Sequence, residues 1–122
     1  MNFSKTLAGI LPAAVTPLTE SGEFAEEPFI QLLDRLYSAG VHGVYLCGST
    51  GEGLLQSVDQ RRRVTECALR HSPSGKQVIV HVGASNTAEA LQLATHAASA
   101  GATAISSLPP LTGHYSFEEI RD

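Results

Sequence analysis

Residues 48–53 read Gly-Ser-Thr-Gly-Glu-Gly, a stretch whose residue types and spacing could do chemistry. Its glycines let the backbone turn tightly and bring N–H groups close to a ligand. Ser49 and Thr50 add two hydroxyls at the same point. Consecutive N–H groups in such a turn form a concave anion site that needs no cationic side chain. A carboxylate or a phosphate is the ligand this composition suits. The same spacing also fits a tight strand-to-helix connection whose glycines serve geometry alone. Two sharper readings fail on the residues. A P-loop ends its turn in Gly-Lys-Ser/Thr, whereas Gly53 is followed by Leu54. A nucleophile elbow reads Gly-x-Ser-x-Gly, and Cys47 occupies its first glycine position.

Other side chains offer weaker chemistry. Glu52 could be a general base, but a hydrogen-bonded carboxylate that closes the turn is the favoured reading. Cys47 reads as an inert thiol at a strand end rather than a nucleophile. His81 could line a site, although a packed histidine is the simpler account. His42, His71, His96 and His114 show no metal-ligand spacing, so no metal site is expected. Arg61, Arg62 and Arg63 are adjacent on a helix and read as a mostly outward, solvated group.

The elements that must position these residues follow in order. Gly9 to Val15 is a short apolar run closed by Thr16-Pro17, and it reads as a strand despite Pro12, which cannot donate to a ladder. Glu26-Glu27-Pro28 opens a helix whose apolar face is Phe29, Leu32, Leu33, Leu36 and Tyr37, and Gly40 stops it. Val44 to Cys47 is the second strand and runs into the glycine turn. Ser57 with Gln60 forms a capping box for a helix to about Arg70, with Val64, Cys67, Ala68 and His71 inward. Gln77 to Val82 is the third strand, rich in β-branched residues. Asn86 with Glu89 starts a helix that ends at Gly101, and Ala102 to Leu108 is the fourth strand. Ser116 with Glu119 opens a further helix one turn before Asp122.

Strands alternating with helices of this length imply a parallel α/β sheet with right-handed crossovers. A doubly wound sheet and the first half of a (β/α)8 barrel both fit, the latter normally needing about 250 residues. A domain that stops one turn into a capped helix favours the barrel half. The expectation is one partial TIM-barrel domain over residues 1–122, with about four parallel strands and three helices, truncated at the start of the fourth helix. The net charge of −4 gives no support for nucleic-acid binding. No apolar run is long enough to span a membrane, and the N-terminus makes a poor signal peptide. Two cysteines without metal spacing make a reducing cytoplasm the default setting.

Read together, Ile10 to Leu18, Gly48 to Gly53, the arginine-rich helix, His81-Val82-Gly83 and Pro109-Pro110 stand in a recognisable order. They resemble the N-acetylneuraminate lyase / dihydrodipicolinate synthase family over essentially the whole chain. The resemblance implies a (β/α)8 barrel, usually tetrameric, and Schiff-base lyase or aldolase chemistry on 2-oxo acids of the pyruvate type. No cofactor is implied. The role of holding the substrate carboxylate falls on Ser49 and Thr50, and Thr16 falls near the site. The family's Schiff-base lysine on strand six and its tyrosine on strand five would lie beyond Asp122, so no catalytic residue is expected in this chain. Lys5 and Lys76 are placed wrongly for that lysine, and the isolated chain is expected to be inactive. Many members carry aromatic residues after the proline that ends strand four, where this chain has Leu111-Thr112, with Tyr115 further on. Ser116-Phe117-Glu118-Glu119 looks more like the sialic-acid lyase branch.

Two other classes compete with the enzyme. A receiver-like signalling module would need a phosphoacceptor aspartate at a strand end. The strand ends carry Thr16, Cys47, Val82 and Leu108 instead, and Asp34, Asp59 and Asp122 lie elsewhere. A truncated, non-catalytic product would expose open sheet edges and should aggregate or pair.

Overall fold

The computed structural model describes residues 6–109 and 113–121. Strands β1 (Gly43–Leu46), β2 (Gln77–His81) and β3 (Ala104–Ser106) form a parallel sheet in that order. Helices α1 (Glu26–Ser38), α2 (Val58–His71) and α3 (Thr87–Ala100) alternate with them, and α4 (Phe117–Arg121) follows. Strand after helix in sequential spatial order is the N-terminal half of a (β/α)8 barrel. No helix among the described residues is long and apolar enough to cross a membrane.

The expected first strand forms differently. Residues 10–14 run beside β1 and exchange backbone hydrogen bonds with it: His42 N to Ile10 O at 2.8 Å, Tyr45 N to Pro12 O at 2.9 Å, and Ala14 N to Tyr45 O at 2.9 Å. Only the Ala13–Tyr45 bridge registers as parallel pairing. Pro12 accepts but has no N–H to give, which breaks the ladder. The fourth strand of the expectation likewise shortens to β3.

Helix starts follow local chemistry. Ser57 accepts from Gln60 N at 3.2 Å, Asn86 from Glu89 N at 2.9 Å, and Ser116 from Glu119 N at 3.3 Å. At Ser116 the box closes both ways, because Ser116 N donates to the Glu119 carboxylate at 2.8 Å. At Ser57 it does not. The Gln60 side chain leaves its helix, takes the Phe24 N–H and donates to Gly22 O at 3.2 Å. It thereby fixes the loop before α1.

Period-two alternation divides the strands into two faces. Val44, Leu46, Val78 and Val80 are buried against the helices with Phe29, Leu33, Val64, Cys67, Ala68, Leu93 and Ala97. The register sets Tyr45, Ile79 and Ala104 level on the opposite face, with His81 and Ser106 level one step further along. That second face is the barrel interior. The Tyr45 hydroxyl reaches Ser106 Oγ across β2 at 3.0 Å.

Candidate functional site

The glycine turn leaves the C-terminal end of β1, the end where the sites of (β/α)8 barrels lie. It is framed by two left-handed residues that are not glycine, Cys47 at φ 57° and Glu52 at φ 52°. Such conformations cost about 1–3 kcal/mol each and persist where the surroundings enforce them. Here the enforcement is steric. A Cβ on Gly53 would lie 1.9 Å from Cys47 O, and one on Gly51 2.9 Å from Ala14 O. Glu52 N donates to Ser49 O and Gly53 N to Gly48 O, both at 3.1 Å. The Gly51 carbonyl accepts from Thr16 Oγ1 at 2.8 Å and from Gln56 Nε2 at 2.6 Å.

What the turn leaves over is its chemistry. The N–H groups of Ser49, Thr50 and Gly51 have no backbone acceptor among the described residues. Ser49 and Thr50 are exposed, and neither hydroxyl has a partner among those residues. Free donors on an ordered turn at a strand end are an arrangement able to bind an anion. Thr16 is buried against the turn and holds it from below. The expected carboxylate closure is corrected: Glu52 is exposed, and Gln56, Thr16 and backbone bonds close the turn.

Arg61 corrects a second expectation. It points inward and is 3% exposed. Its Nη1 donates to Gly83 O at 2.8 Å and its Nη2 to His81 O at 2.6 Å, joining α2 to the loop after β2. Arg62 and Arg63 are exposed as expected. The Cys47 thiol lies beside the Arg61 guanidinium; burial pushes it up to about 11, against the pull of that cation. The thiol is therefore protonated at neutral pH and a poor nucleophile.

His81 is buried and lies 6.5 Å from the Tyr45 ring, centroid to centroid. Neither ring nitrogen makes a well-formed hydrogen bond among the described residues. Burial, and then the Arg61 charge, hold its pKa below the ordinary histidine value, and the nearby Cys47 carbonyl offsets this in part. A cleft of about 720 Å³ opens at the same end of the sheet, lined in part by Ser85, Asn86, Ser107, Leu108, Tyr115 and Ile120. Ser49 and Thr50 do not line it. Lys76 sits at the entry to β2, where its Nζ donates to Val41 O at 2.8 Å. Lys5 and Leu111-Thr112 lie outside the described residues.

Fold and turn together define a class: the first half of a (β/α)8 barrel with a glycine-rich turn at the C-terminal end of a strand. The chain matches the dihydrodipicolinate synthetase family over residues 6–122 and belongs to that family. The N-acetylneuraminate lyase of Rattus norvegicus is 41% identical over 108 residues, which are 87% of this chain and 34% of that protein. The sialic acid aldolase of Ruminococcus gnavus superposes with a TM-score of 0.87 at 34% identity, over 92% of this chain and 37% of its own. A prophage protein of the dihydrodipicolinic acid synthase family from E. coli K12, in complex with pyruvate, gives 0.86 at 29% identity, over 92% and 38%. The chain thus spans about a third of the length of the curated relatives it matches.

Proposed function

We propose that this chain contributes the carboxylate-binding half of a 2-oxo-acid lyase or aldolase site. The observation that carries the reading is the free donor set of Ser49, Thr50 and Gly51 at the C-terminal end of β1. A pyruvate-type carboxylate placed there has its keto carbon directed into the barrel. A lysine amine attacks that carbon and loses water to give an imine. The imine accepts the electron pair of the neighbouring C–C bond as it breaks, or supplies a carbon nucleophile as one forms. Lys76 lies at the opposite end of the sheet, so the reading takes the imine-forming lysine and the proton-relaying tyrosine from beyond residue 122. The relative from rat and the pyruvate-bound relative support this substrate class, and the former favours the N-acetylneuraminate lyase branch. The same reading makes the complete barrel a cytoplasmic homotetramer that needs no cofactor.

Borohydride reduction in the presence of pyruvate tests it. The 122-residue chain gains no mass, while the chain extended through the sixth strand gains one reduced pyruvyl adduct on a lysine. An adduct on Lys76 contradicts the assignment. An extended barrel that forms no adduct leaves a cradle without the chemistry and overturns the enzyme reading.

A further inference from the structure

We propose that Arg61 positions the substrate carboxylate without touching it, by supplying positive potential from beside Cys47, at the start of the 48–51 turn. The inference rests on the carboxylate-cradle reading and adds the charge that the turn itself lacks. Arg61 is the one buried Lys, Arg, Asp or Glu among the described residues. Its two terminal nitrogens bind neutral carbonyls, which satisfy the donors without cancelling the charge. Its Nε is buried with no partner.

Among the described residues no carboxylate forms an ion pair with it. The ion pairs among the described residues use Arg63, Arg70 and His96. The Glu89 carboxylate acts on Arg61 only from beyond ion-pair range. Cys47, which lies against it, keeps its proton at neutral pH. Burial draws the Arg61 pKa below its usual value, yet a guanidinium stays charged at neutral pH. An isolated buried charge gives up hydration that two neutral carbonyls do not fully replace. The position of the charge gives it a use beyond those two carbonyls: Cys47, against which it lies, leads directly into Gly48 and the free N–H groups. At low dielectric a buried cation acts on an anion beyond contact distance with little screening.

Calorimetric titration of the 122-residue chain with pyruvate and with the neutral isostere pyruvamide tests the inference. The wild type prefers pyruvate. Arg61→Lys retains most of that preference, and Arg62→Gln, an exposed neighbour, retains all of it. Arg61→Gln weakens pyruvate about tenfold, about 1.4 kcal/mol, and leaves pyruvamide unchanged. Equal losses for both ligands would show a purely structural clamp and overturn the inference, as would no loss. A wild type that binds neither ligand overturns the cradle reading itself, and the inference with it. If Arg61→Gln does not fold, the wild-type Arg61 Nε–H resonance decides: it shifts with pyruvate and not with pyruvamide. A resonance indifferent to pyruvate contradicts the proposal.

Discussion

At the residue scale, the site is a set of polar groups held by neighbours that sequence spacing only partly discloses. The turn that carries Ser49 and Thr50 was legible because glycines flank them. Arg61 was misread as outward, although its spacing from Val64 and Ala68, both placed inward, sets it on the same buried helical face. Adjacency to Arg62 and Arg63 concealed this. Gln56 and Tyr45 were missed, because their partners, Gly51 O and Ser106 Oγ, depend on turn closure and strand register. His81 gives a prediction with a sign. Its folded pKa is held below the ordinary value, so the unfolded chain takes up a proton that the folded chain refuses. Its contribution to stability is present above pH ~6.5, the ordinary histidine value, and falls away below it towards the folded pKa. Urea unfolding across this range should show a slope from this group of up to about 1.4 kcal/mol per pH unit, absent in His81→Gln. Identical pH profiles for the two chains would contradict it.

At the scale of elements, helices were read best because their signals are local. Ser57, Asn86 and Ser116 each cap a helix with their own side chain. The first strand was read less well, since whether residues 10–14 count as a strand turns on the hydrogen bond that Pro12 cannot donate. The capping-box reading of Ser57 was half right: Gln60 spends its side chain on Phe24 and Gly22 instead. That link matters to packing, because Phe24 is buried edge-on against Phe29 with ring centroids 5.4 Å apart. Gln60→Ala leaves the Phe24 N–H without its acceptor and should cost about 1–3 kcal/mol in urea unfolding. Gln60→Glu keeps the acceptor and should cost less. Equal costs would assign the effect to the Gly22 contact.

At the scale of the molecule, one sheet face is covered by α1, α2 and α3, while the other carries Tyr45, Ile79 and Ser106, each half-buried. The alternation of strands and helices was enough to expect a parallel sheet with right-handed crossovers, but it fitted a doubly wound sheet as well as a barrel half. The sequential order β1-β2-β3 with the helices on one face is what the barrel half requires. The inward face could not be read from any single strand, as it exists only once three strands are in register. The account's central claim concerns the turn at the end of β1: its free donors bind a carboxylate. The most direct measurement is the backbone amide spectrum of the chain during titration with pyruvate. The account predicts downfield, saturable shifts at Ser49, Thr50 and Gly51, while Glu52 and Gly53, whose N–H groups are already bonded within the turn, move little. Shifts centred on another element, or none at these three amides, would contradict it.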